Sequence, residues 1–223
     1  NDVRQVVDWD DAEQTYRGFT GTVHRPMKRP ASLDYFFRPG LTWPLRGSRF
    51  SCQALPEGCI FSVSGKFATS DEPSELPVLL GLMNSAMFDF LIGFFAGKVG
   101  GVQYEVGLIN KVPVPDLTSE IATQIGECAL CGHSASRTVD SATETSHAFM
   151  LPSVLQVEGA SLSGRAKAWV ERVQHHRTVA SRQLKEIDRL TLELYGLSSD
   201  DGLQIESSRT MFQCADDEAR DVS

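Results

Sequence analysis

Two groups of side chains in this 223-residue chain have the types and spacing to do chemistry. Cys128-Ala-Leu-Cys131, with His133 close behind, has the look of half a zinc site. A structural zinc needs two close ligand pairs, and Cys52 and Cys59 stand too far apart to supply the second. These thiols therefore read as core or helix-surface side chains, and nothing around them marks a nucleophile. The second group interleaves aromatic and basic residues: Tyr35-Phe36-Phe37-Arg38-Pro39-Gly40-Leu41-Thr42-Trp43, then Arg46, Arg49 and Phe50. Guanidinium forks read guanine or hold phosphates, threonine touches base edges or backbone, and aromatic faces pack or stack. Alternation along a strand would place Phe36 and Arg38 on one face, Tyr35 and Phe37 on the other. Most of these aromatics suit a core, so the string by itself supports a DNA contact only in outline.

Other patterns fail on inspection. Gly58 to Lys66 ends as a phosphate loop would, but six residues separate Gly58 from Gly65 where four are required, and Phe67 stands where a magnesium-binding Ser/Thr belongs. His176 falls on the apolar stripe of a long helix and reads as a core histidine beside His175. Paired catalytic carboxylates, a Gly-x-Ser-x-Gly elbow and a dinucleotide fingerprint do not occur.

The elements that must position these residues come next. Hydrophobic residues make up 41% of the chain and charged ones 22%, an ordinary globular balance that excludes bulk disorder, collagen and coiled-coil rods. Five cysteines, an odd number at low density, argue against a secreted disulfide framework and for a reducing cytoplasm. The opening Asn-Asp-Val-Arg suggests a piece of a larger protein. The formal charge of −8 opposes indiscriminate nucleic-acid binding, yet six bases face only Asp34 between Arg25 and Arg49, while seven acids face two bases from Asp200 to Ser223. An anionic partner should meet the N-terminal third.

Up to about Gly65 the chain is rich in Gly, Pro, Trp and Phe and reads as short strands, with Cys59 to Ser64 the clearest. Ser74 is a candidate cap for an apolar helix from Leu76 to Phe95; Asn84 and Asp89 inside it speak against a membrane span. Val102 to Val106 reads as a strand, and Val112-Pro113-Val114-Pro115 as an extended exit. A moderate helical signal runs from Thr118 to Arg137, followed by a Ser/Thr-rich loop from Ser134 to Thr145. Trp169, Val173, His176, Ala180, Leu184, Ile187, Leu190 and Leu194 recur at gaps of three and four, predicting one long amphipathic helix from Arg165 to Tyr195, stopped at Gly196. The last residues read as an acidic, disordered tail.

Four stretches in order resemble one family. They are the Tyr35 to Trp43 string, Leu79-Leu80-Gly81-Leu82-Met83-Asn84-Ser85, Tyr104-Glu105-Val106-Gly107-Leu108-Ile109 leading to Val112-Pro113-Val114-Pro115, and Ile187-Asp188-Arg189 followed by Leu194-Tyr195-Gly196-Leu197. Glu144-Thr145-Ser146-His147-Ala148-Phe149 is a fifth. The set is similar to the region after the catalytic domain in large bacterial adenine-specific DNA methyltransferases of the restriction-modification and BREX phage-defence (PglX-like) kind. The resemblance implies a target recognition domain that grips duplex DNA while a separate domain binds S-adenosylmethionine. No Asn-Pro-Pro-Tyr-type catalytic motif or Gly-rich cofactor loop occurs here, so the implied role is specificity without methyl transfer.

The expected fold is α+β: a lead-in over residues 1–21, a mixed strand-and-helix recognition domain over 22–117, a helical region over 118–203 and the tail over 204–223. Holding the duplex around an extruded base calls for phosphate contacts, assigned to Arg25, Lys28, Arg29 and Lys66, and for guanine reading by arginines among Arg38, Arg46 and Arg49, with Thr42 beside them. Lys98, among glycines, and Asn110-Lys111 offer two further loops. The long helix should pack on the Thr118 to Arg137 helix or on the absent methyltransferase domain. The rival reading is a helical protein-interaction module of a defence complex in which the basic stretch is incidental.

Overall fold

The computed structural model describes residues 32–47, 49–62, 65–96 and 103–208. They form an α+β fold. Its antiparallel sheet runs in the order β2-β1-β3, with β1 Gly40–Pro44, β2 Gln53–Leu55 and β3 Gly65–Ala68. Six α-helices accompany it: α1 Leu76–Asn84, α2 Ala86–Ala96, α3 Val106–Ile109, α4 Ser119–Asp140, α5 Leu162–Leu194 and α6, residues 199–208.

The Gly-Leu-Thr-Trp string is the central strand. Leu41 and Trp43 point into the core, and Gly40 is required where it stands, because a Cβ there would collide with the Ala68 carbonyl and the Phe67 ring. The strand expected at Cys59 to Ser64 does not form: its described residues, 59–62, join no sheet. Phe61 instead stacks on Phe67 with ring centroids 4.4 Å apart, and Phe36 meets Phe61 edge-on. Tyr35 belongs to a 3-10 turn and Phe37 takes a left-handed φ of 66°, so the face-sharing expected for residues 35–38 is not realised. Likewise, of the strand expected over Val102 to Val106, the described residues 103–106 form a single bridge, Arg46↔Gln103, before α3 begins at Val106.

The apolar segment from Leu76 is two helices bent by 67°. Ser74 caps neither; Ser85 makes the break. Its hydroxyl donates to the Leu82 carbonyl (2.7 Å) and accepts from the Phe88 N–H (3.2 Å), while the Asp188 carboxylate accepts from the Ala86 N–H at 2.7 Å. Two of the second helix's orphan donors, the Ala86 and Phe88 N–H groups, are thereby satisfied. Among the described residues no single helix is long and apolar enough to cross a membrane. Helix α1 is apolar all round because it is covered on two sides. Leu76, Leu79, Leu80 and Met83 join the core of Leu41, Trp43, Phe50, Phe88, Ile92 and Tyr104. On its other side Val78 and Leu82 meet Ile125 of α4 and Leu190 of α5.

Packing therefore crosses the boundary expected at Leu117. Helix α4 begins with Thr118 accepting from the Ile121 N–H and runs on through Asp140, taking in residues expected as loop. Helix α5 packs along α4 as the periodicity requires, and Gly196, at φ 66°, ends it. The tail expected from residue 204 starts instead as α6. Ser198 and Asp201 form a capping box, Asp201 N–H to Ser198 Oγ at 3.2 Å and Ser198 N–H to Asp201 Oδ2 at 2.8 Å, and Ile205 is buried.

Candidate nucleic-acid interface

Polar side chains, more than regular structure, hold the segment that carries Arg46 and Arg49. Trp43 is buried, and its indole N–H donates to the Tyr104 carbonyl at 2.9 Å. The Tyr104 N–H in turn donates to the Leu45 carbonyl at 2.7 Å. Downstream, the Asp89 carboxylate accepts from the Phe50 N–H (3.0 Å), and Asn84 bonds both backbone groups of Cys52, at 3.0 and 2.9 Å. Residues 45–52 are thus fixed at both ends against Tyr104 and the α1–α2 corner.

The candidate side chains fall into two groups on this frame. Arg38 precedes β1 and Arg46 follows it, so they lie at opposite ends of a strand roughly 16 Å long. Arg38 is exposed, stacked over the Tyr35 ring at 5.3 Å and 3.8 Å from Asp71. At the other end Arg46 bridges Gln103, and Asn110 and Lys111 leave the C-terminus of α3, which follows Tyr104 directly. Arg46, Asn110 and Lys111 are exposed, and among the described residues Arg46 and Lys111 form no ion pair.

Arg49 and Lys66 are compensated. Arg49 Nε lies 3.4 Å from Asp89 Oδ2 with 42% of its side chain exposed. Burial pushes the Asp89 carboxyl above its ordinary range, against the pull of the Phe50 N–H and of Arg49. Lys66 is the larger correction. Its place opposite Trp43 in the ladder turns it toward the core face, where only 14% of the side chain is exposed and its ammonium sits 2.7 Å from Glu105. It does not offer an uncompensated charge to a phosphate. Thr42 is half-buried opposite Gln53 and Phe67, on the face covered by the Phe36–Phe61–Phe67 cluster. Arg25, Lys28, Arg29 and Lys98 lie outside the described residues.

Sequence reasoning missed the carboxylates. Asp89 was legible as an acid inside an apolar helix, which must find a partner; Glu105 carried no such signal. Cys128 and Cys131 lie on α4, half-buried and exposed, and among the described residues no three His, Cys, Asp or Glu side chains gather as a metal would require. Cys52 is buried, and burial pushes its thiol up to about 12, so it is not a nucleophile at neutral pH. No family model matches the chain, and no curated protein does.

Proposed function

We propose that this chain recognises a DNA target site on behalf of an adenine-specific methyltransferase of the restriction-modification or phage-defence kind. Methyl transfer and S-adenosylmethionine binding belong, in this reading, to a catalytic domain outside the chain. The observation that carries the proposal is the pair of exposed cations, Arg46 and Lys111, without an ion pair among the described residues, on two segments locked together by the Arg46↔Gln103 bridge and the Trp43–Tyr104 hydrogen bond. A side chain that reads a base edge must arrive in a fixed register, and cations on segments fixed in this way meet that need. Arg46 is assigned to base reading. Arg49, oriented by Asp89 through one nitrogen, keeps further donors for the same groove. Lys111 and Asn110 are assigned to the backbone, and Arg38, at the far end of β1, to phosphates farther along the duplex.

The test is selection of the chain against a randomised duplex pool at low and near-physiological salt, with Arg46→Ala and Lys111→Ala in parallel. Arg46→Ala should relax the enriched motif at one position, a loss of about 1–3 kcal/mol in discrimination. Lys111→Ala should weaken all sequences alike and reduce the salt slope by about one. Absence of binding at either salt would move the reading to the protein-interaction module.

A further inference from the structure

A cleft against the edge strand β2 has a different chemistry. It has a volume of about 110 Å3, several times the roughly 10–15 Å3 that one water needs. One wall is the edge strand, Ala54, Leu55 and Pro56. A second is α4, which contributes His133, Arg137 and Asp140 at positions i, i+4 and i+7. The third is the loop after α4, with His147 and Ala148.

That loop is a fixed wall. The Thr143 N–H donates to the Asp140 carbonyl and the Met150 N–H to the Ser141 carbonyl, both at 2.9 Å. Gln156 joins Ser141 twice, accepting from its hydroxyl and donating to its carbonyl, each at 3.0 Å. Arg172 of α5 then holds the Gln156 carbonyl at 3.0 Å. The position of His147 is therefore set by the fold.

Four of the eight lining residues are ionisable, which argues against an apolar occupant. A cation is disfavoured too, since Asp140 is the sole carboxylate and Arg137 lies one turn away. Among the described residues Arg137 forms no ion pair, with Asp140 or otherwise. We infer that the cleft binds a phosphate-class oxyanion, gripped by the Arg137 guanidinium and by the imidazole N–H of His133. The guanidinium fork suits such an anion, and the apolar strand edge strengthens charge-assisted hydrogen bonds by excluding water.

His133 supports this from its own side. Burial first, and then Arg137 and His147, hold it below the ordinary imidazole range, while Asp140 pulls the other way. The sheet edge adds no charged group to the lining. Protonation of His133 adds positive charge to the cleft, so anion binding and proton uptake reinforce each other. The anion is either free or a phosphodiester of a DNA backbone. The inference stands independently of the target-recognition reading.

The test follows the histidine imidazole resonances of the full chain by NMR, with sodium sulfate exchanged for chloride at constant ionic strength, and separately with a short DNA duplex. Sulfate should perturb His133 and His147 alone and raise the pKa of His133, with affinity increasing as the pH falls from 7.5 to 5.5. Arg137→Gln should weaken binding at least tenfold while its melting temperature in chloride stays that of the parent. A response to sulfate identifies a free-oxyanion site, and a response to duplex alone identifies a backbone clamp. Silence at His133 with both probes overturns the inference, as does an equal response at His175 and His176 or in Arg137→Gln. Sulfate binding without any DNA binding would instead remove the target-recognition reading and leave the cleft.

Discussion

The two cores on either side of α1 are held together by different physics. Toward α4 and α5, contact is periodic and made of aliphatic and small residues. Gly81 and Gly126 let the helices cross closely: a Cβ on Gly81 would stand 2.5 Å from Ile125 Cγ2, and one on Gly126 would stand 3.4 Å from Val78 Cγ2. Toward the sheet, the strands are three to five residues long, and the apolar contact is supplemented by a few side-chain-to-backbone hydrogen bonds from Trp43, Asn84 and Asp89. A periodic contact spreads its energy over many residues. A tether concentrates it in one, so the sheet side should be the more sensitive to single substitutions.

The largest effect is expected at Trp43. Trp43→Ala empties a site where the indole is 2% exposed and packs near Phe50, and it removes the hydrogen bond to Tyr104. A loss of about 3–5 kcal/mol in urea unfolding is expected. Asn84→Ala should follow at about 2–3 kcal/mol, because both the Cys52 N–H and C=O lose their partner. Gly81→Ala tests the helical side. The new methyl must displace Ile125, costing about 1–2 kcal/mol, and partial relaxation by α4 sliding keeps it below the other two. If Gly81→Ala proved costlier than Asn84→Ala, the contrast between tethered and periodic cores would be wrong.

The same contrast explains what could be read from the sequence. Helix α5 was legible because Trp169 to Leu194 repeat one face, and Gly196 supplied the stop. The break at Ser85 was hidden because α1, covered on both sides, has no polar face to reveal a period or its interruption. Short strands carry still less local information: Gly40–Pro44 and Gln53–Leu55 become strands through each other, whereas the more strand-like run at Cys59 finds no partner. Helix α6 was written in Ser198-Ser199-Asp200-Asp201, a capping box that acidic composition masked. For the candidate interface, the types of the cations were legible and their compensation was not. Lys66 meets Glu105, and Arg49 meets Asp89, across some forty residues of sequence.

Asp188 joins the two regions and gives the smallest but most specific prediction. It lies on α5 yet caps α2 through the Ala86 N–H, and burial, joined by Glu206, pushes its carboxyl up to about 6 despite that hydrogen bond and Arg49. The folded chain thus holds a proton on this group between its unfolded value near 3.8 and about 6. Stability from this source is present in full below the unfolded value and is lost as the pH rises through the folded one. Asp188→Asn keeps an acceptor oxygen for Ala86 and abolishes the titration. The variant should match the parent near pH 4 and gain on it up to about pH 7, by about 1 kcal/mol once the full linkage is discounted for partial exposure. Thermal melts of both proteins at half-unit steps from pH 4 to 7 measure the difference. A constant offset across that range would mean that the capped corner does not sense the charge on Asp188.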